Sequence, residues 1–284
     1  MVPAVVQAVV QTGRMTLRRS FWHAVETIHH VVYFAPDAKE TFQAVGLKGQ
    51  WMGYFASRSA ALGTPGPEIV IAAFHGFAPH MVRRALPTAW QLASRDDILT
   101  ARYELARRTI APGFEGVDVA ALATGLQAGL PGLDLAGRPL AAGHLALPAP
   151  DDDLGAVWHA ASTLREFRGD SHLAVLTAAG IDGVTANVLA VAAGLALPDQ
   201  QKLRGWPDDE WETAAAGLRA RGWIDTGNAI TSDGIAARTD LEAATDRATL
   251  AGISVEAVEH FASVADLAVT ASKQLVAARI DPTH

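Results

Sequence analysis

The hydrophobic positions of this chain recur mostly at helical spacing, and Ala-rich amphipathic segments outnumber runs of Val, Ile and Thr. This predicts a mainly α-helical protein. From Arg18 to about Arg108 the pattern gives helices over 21–32, 37–45, 51–62, 68–76, 79–86 and 95–109, with Asp37 placed to cap the second. Gly63-Thr-Pro-Gly-Pro67 is a firm break. Ala111-Pro-Gly113 and Gly129-Leu-Pro-Gly132 bracket a small helix at about 117–128. Pro148 to Asp153 opens the next helix, with Asp152 and Asp153 suited to its positive N-terminal end. The expected organisation is an N-terminal helical domain at 15–111, a linker with a short helix at 112–150, and a C-terminal domain at 151–284.

The second half has a definite order. Helices are expected at 171–179, 183–193 and 207–220. Ile224 and Ile230 then flank Asp225-Thr-Gly-Asn228, where Gly227-Asn228 is a hairpin-turn dipeptide. Thr231-Ser-Asp-Gly234 opens a helix to about Thr249, and Ser254 caps a long final helix through Ala277. Three helices, a short β-hairpin and a further helix make a winged-helix order. The run Leu218 to Arg238 resembles the wing and following helix of MarR-type regulators. More widely, Gly46-Leu-Lys-Gly-Gln-Trp-Met-Gly-Tyr54 with Arg58, Phe74 to Pro79, Leu164 to His172, Arg221-Gly222 and Glu242-x-x-Thr-Asp246 are similar to an actinobacterial family of helix-turn-helix-containing proteins. That resemblance spans nearly the whole chain after Met15 and implies a winged-helix C-terminal domain, but no particular activity. Lys48-Gly49 and Arg168-Gly169 each open a helix followed by similar landmarks, which suggests a tandem pseudo-repeat with Gly49 and Gly169 in equivalent turns.

Composition narrows the function. Half of the 284 residues are hydrophobic, 19% are charged and the mean hydropathy is +0.16, as expected of a well-buried globular protein. The absence of Cys excludes disulfides, zinc–thiolate sites, iron–sulfur clusters and a Cys nucleophile. The apolar start, Val2 to Val10, is too short to span a bilayer and lacks a basic stretch before it, so the chain reads as soluble and cytoplasmic, with no membrane partner. That segment is either a short helix or lies upstream of a true start at Met15. A net charge of −7 gives no electrostatic reason to expect non-specific nucleic-acid binding. The helix that would read DNA, Pro207 to Ala220, begins with Asp208, Asp209, Glu210 and Glu212. From Trp206 to Arg247 nine acidic residues face only Arg219, Arg221, Arg238 and Arg247 as basic ones, which opposes contact with phosphates.

The densest chemistry is Leu164-Arg-Glu-Phe-Arg-Gly-Asp-Ser-His172, which lies between two apolar segments. Buried charges must pair or line a cavity, because an unpaired one is costly. One reading is structural: Gly169 ends a helix, Asp170 or Ser171 caps the next, and Arg–Glu pairs stitch the junction. The other is functional, with Arg165 or Arg168 as an anion clamp, Glu166 as acid or base, and His172 as acid, base or ligand. Tyr33, Phe34, Trp51, Tyr54, Phe55, Phe74 and Phe77 form either core or pocket wall, with Arg58 and His75 as polar anchors. Arg58, in an otherwise apolar helix, needs an anion: Glu166 or a ligand. The candidate set is thus Glu166 and His172 for catalysis, and Trp51, Tyr54, Arg58, Phe74, His75, Arg165, Arg168 and Asp170 for binding. No H-E-x-x-H or H-x-x-x-H spacing points to a metal, one of His29-His30 could be a haem ligand, and the cofactor stays open. No G-x-S-x-G, Walker A or G-x-G-x-x-G pattern occurs in a suitable setting. The expected function is binding of a small molecule, with catalysis left open, in a pocket between the helical and winged-helix domains. The alternative is a MarR-like DNA-binding regulator using that pocket for an effector. Ser254 to Ala277 could pair two copies as a homodimer.

Overall fold

A computed structural model describes residues 17–278; the expectations for Val2 to Val10 and for a start at Met15 fall outside the described residues. The first half holds α1 Arg19–His30, α2 Ala38–Ala44, α3 Gly49–Ser59, α4 Pro67–Ala73, α5 Pro79–Ala85, α6 Ala89–Leu92, α7 Arg95–Ile110, α8 Val119–Gly129 and α9 Pro139–Leu145. The second holds α10 Asp153–Ala178, α11 Gly183–Ala192, α12 Gln200–Arg204, α13 Asp208–Ala220, α14 Ser232–Ala251, α15 Val255–Ser263 and α16 Ala265–Ala277. The mainly helical expectation is met.

The fold is organised around α10. Its N-terminus is capped by Asp152, whose carboxylate accepts from the Gly155 amide at 2.8 Å. Both halves of the chain pack on it: α1, α7, α8 and α9 from the first and α14 from the second. Trp158, Leu164 and Phe167 on α10 are 0% exposed, so this helix is apolar on nearly every side and polar only where partners wait for it. The last two helices return to the first half, α15 against α8 and α16 against α1, with Phe261 stacked on Phe21 at 6.0 Å. The main core therefore draws on Leu17 through Phe167 and again on Ile253 through Leu275. A second, smaller core joins Val184, Val188 and Leu189 of α11 to Ala214, Ala215 and Leu218 of α13.

Four expectations are corrected. First, the C-terminal winged helix with its β-hairpin is not formed: the described residues contain no strand. Ile224 and Ile230 meet only in an isolated antiparallel bridge. The turn is there, with Asn228 at φ 65°, but the Asp225 carboxylate takes the amides of Gly227 and Ala229 and pulls it tight. α14 then begins at Ser232, which leaves no residues to extend a ladder.

Second, α10 runs unbroken for 26 residues through Gly169. The side chains expected to end one helix and start another are used elsewhere. Asp170 accepts from the Ala141 amide of α9 at 3.0 Å, and Ser171 bonds back to the Phe167 carbonyl at 2.9 Å. Packing on both flanks overrides the local weakness of a glycine. Third, the tandem pseudo-repeat fails with it: Gly49 opens α3 at φ 71°, whereas Gly169 lies inside a helix. The predicted final helix is likewise two helices, α15 and α16, broken at Val264.

Candidate functional site

Continuity of α10 is what assembles the site. At 3.6 residues per turn, Glu166, Asp170 and Leu173 fall on one face, with Gly169, His172 and Leu176 beside them. That face looks into a cavity of about 250 Å³. Tyr54 and Arg58 of α3, Phe74 to Phe77 at the end of α4, and Leu140 of α9 form the wall on the main-core side. Ala186 and Asn187 of α11 and Arg204 of α12 close the other.

Glu166, at 0% exposure, is the electrostatic centre. Arg58 grips it with two parallel bonds, Nε to Oε1 at 2.9 Å and Nη2 to Oε2 at 3.0 Å. Arg165 adds a third, Nη1 to Oε2 at 2.9 Å, while its Nε reaches Glu26 at 3.2 Å. Burial alone raises the Glu166 carboxyl, but Arg58 and Arg165 override it and hold it well below the usual carboxylate range. Held this way, Glu166 stays ionised and has no proton to give. Arg58 also donates to the Tyr54 hydroxyl at 3.1 Å and lies over the Phe74 ring at 4.3 Å. Burial pushes the Tyr54 phenol up, and the guanidiniums of Arg58, Arg204 and Arg165 more than offset this, leaving it below its ordinary value.

Asp170 behaves in the opposite way. Burial raises its carboxyl to about 6, the Ala141 amide works against the rise, and the neighbouring Glu166 charge adds to it. His172 Nδ1 meets Thr245 Oγ1 of α14 at 3.0 Å, and its pKa is lowered by burial, with Glu242 opposing and Arg168 assisting. His75 is lowered by burial too, against the pull of Asp182.

Of the residues expected from the sequence, Tyr54, Arg58, Phe74, His75, Arg165, Glu166, Asp170 and His172 line the cavity together. Trp51 and Arg168 do not. Trp51 packs behind the wall, edge-on to Phe77 at 5.6 Å, and Arg168 bridges to Glu242 and Asp246 of α14, each at 2.9 Å. The imidazole of His29 has both nitrogens engaged, with Ser162 Oγ at 2.9 Å and Tyr33 Oη at 3.0 Å, which leaves none for a haem iron. Among the described residues no group of three or more His, Asp or Glu is placed to hold a metal ion. No single described helix is long and apolar enough to cross a membrane.

Sequence reasoning missed Arg204 and Asn187. Their signal is faint: Arg204 precedes Gly205, whose φ of 74° ends α12, and Trp206, whose Nε1 donates to the Gly76 carbonyl at 3.0 Å. Asn187 Nδ2 donates to the same carbonyl at 2.9 Å, and the Ala78 amide donates to the Arg204 carbonyl at 2.9 Å. These bonds fasten the α11–α12 segment to the turn at 74–78. Gly183 allows the close approach, since a Cβ there would lie 1.8 Å from the His75 carbonyl oxygen. Gly183→Ala should therefore force the two surfaces apart. The expected cost is about 2 kcal/mol, with a red shift in Trp206 emission as its ring loses cover. An unchanged melting temperature and spectrum would mean that the turn yields freely.

The described residues thus form a mainly helical protein in which a small three-helix cluster, α11 to α13, closes one side of a cavity built on a larger helical body. It belongs to the helix-turn-helix family, which it matches over residues 18–282. No protein of curated function and no solved structure matches it.

Proposed function

We propose that this protein is a ligand-responsive, DNA-binding regulator, with α11 to α13 as its helix-turn-helix and the cavity as its effector site. Membership of the helix-turn-helix family supports the class. The observation that carries the coupling is the shared wall: Ala186, Asn187 and Arg204 belong to the three-helix cluster, and the same cavity is lined by Glu166 and Asp170 of the main body. A molecule in that space touches both, so it binds one arrangement of the two better than another, which is the requirement for control by a ligand.

The surface charge shapes how DNA would be bound. The first turn of α13 carries Asp208, Asp209 and Glu210, and a groove beside it is lined by Asp182, Asp209, Glu210 and Arg221. Phosphate contacts must then come from few groups: Arg204 lines the cavity, and Lys202, Arg219, Arg221, Arg238 and Arg247 are the other basic residues between 183 and 247. Five contacts limit the dependence of log K on log salt to a slope of about −4.5 or shallower. Selection from a random duplex library, followed by anisotropy titrations of the full chain across salt, measures both selectivity and slope. Sequence-selective retention at about 100 mM salt with a shallow slope is expected; absence of any selective retention would sink the regulator reading. The second reading, a small-molecule binder with no DNA output, is favoured by the acidic start of α13 and predicts that absence.

A further inference from the structure

Three arginines, Arg58, Arg165 and Arg204, line the cavity, and all but one of them have a carboxylate. Arg58 and Arg165 share Glu166, Arg165 also holds Glu26, and Arg168 holds Glu242 and Asp246. Arg204 lines the cavity with none. Its guanidinium lies on the face of Phe77, 4.2 Å from the ring centroid, and the polar group that faces it is the Tyr54 phenol. A guanidinium half-buried beside two others of the same sign is disfavoured without a counter-ion.

We propose that Arg204 anchors a small organic carboxylate with an apolar body in this cavity. The inference rests on the effector-binding part of the reading above and names the chemistry of that effector. Three observations define it. A single guanidinium without a carboxylate, pre-set by the Ala78–Arg204 backbone bond and the turn at Gly205, matches one carboxylate in a planar two-point contact. Asp170 in the same wall opposes a second negative charge, which disfavours phosphate. Phe74, Phe77, Leu140, Leu173 and Leu176 supply the apolar remainder, and about 250 Å³ suits a body the size of one ring.

The test uses the full chain and four probes: benzoate, cyclohexanecarboxylate, benzylamine and inorganic phosphate, titrated by calorimetry with thermal shift as a second readout. At least one of the two carboxylates should bind with a Kd of about 1 mM or tighter, and benzylamine and phosphate should bind at least tenfold more weakly. Arg204→Gln should weaken that carboxylate at least tenfold, Arg204→Lys less, and Arg84→Gln, on an exposed helix face, should change nothing. The wild-type preference for carboxylate over amine stands even if Arg204→Gln fails to fold. Binding of benzylamine or phosphate in preference, unchanged carboxylate affinity in a folded Arg204→Gln protein, or no carboxylate binding at about 10 mM each overturns the proposal. None of these readouts involves DNA, so failure of the regulator reading and failure of this inference are told apart.

Discussion

Glu166→Gln should destabilise the protein by about 3–5 kcal/mol, the largest effect expected of any near-isosteric change in this fold. The substitution keeps the shape and removes the one charge that compensates Arg58 and Arg165 where they meet. What remains is the buried Arg58 guanidinium facing a neutral amide, beside a half-buried Arg165 that keeps only Glu26. Most of the cost is that residue of uncompensated charge, not the worth of the original bonds. Against a typical total stability of about 5–15 kcal/mol, the melting temperature should fall by about 10 °C.

Arg168→Gln offers the contrast. Its pairs with Glu242 and Asp246 are roughly a quarter to a third exposed, so the loss should stay near about 1 kcal/mol. A double-mutant cycle of Glu166→Gln with Arg58→Met isolates the coupling: the two single losses should not add, because each removes the same pairing. If Glu166→Gln costs less than about 1 kcal/mol, water reaches the clamp and its description as buried is wrong. Because the folded carboxyl is held well below its unfolded value of 4.5, its contribution is present above that value and is lost as pH falls from there through the lower folded value.

Acid sensitivity should begin earlier than that, and His144 is the reason. This residue of α9 is 2% exposed, and neither ring nitrogen has a hydrogen-bond partner among the described residues. Burial lowers it from 6.5 to about 3, with the Glu166 charge opposing. His159 is lowered by burial to about 4. Between pH 6.5 and these values the unfolded chain binds protons that the folded chain refuses. Each such histidine therefore removes about 1.4 kcal/mol of stability per pH unit of acidification across that window. Asp170 runs the other way, since the folded protein takes up its proton first, between about 6 and 3.8, and offsets part of the loss.

His144→Leu removes the titrating group and satisfies an apolar site at similar volume. The variant should match or exceed the wild type in melting temperature at pH 7.5. Its advantage should grow by about 1.4 kcal/mol for each pH unit below 6.5. A gap that is the same at pH 7.5 and pH 5.5 would show that His144 becomes charged in place, and the account of a buried neutral imidazole would fail.

The sequence made the Glu166 clamp readable because Arg58 is the odd charge in an apolar helix and the Arg165–His172 tract is dense in groups that need partners. Helical periodicity then carried most element positions, since α1, α3, α7, α11 and α13 each bury a stripe against one of the two cores. The failures have particular causes. Gly169 reads as a helix end by its own conformational freedom, but flanking packing keeps α10 intact, and local signals do not report packing. Asp225-Thr-Gly-Asn228 reads as a hairpin because its turn chemistry is right, while ladder length depends on where the next helix starts. Arg204 was invisible because α12 is only five residues long and its meaning comes from a turn more than 120 positions earlier, at Gly76 and Ala78.

The pairing of α10 with α14 has a mechanical consequence. Phe167 lies against Gly252 and His172 meets Thr245, so the two helices run in opposite senses, and the three-helix cluster is strung between the end of one and the start of the other. The cluster thus stands on a double strut instead of a single hinge. Glu166, fixed by two arginines, is a fulcrum on the first strut, and Ala178 at its tip is about 18 Å away at 1.5 Å per residue. A tilt of a few degrees about that fulcrum displaces the tip by about an ångström, with Asp170 and His172 on the lever arm between them.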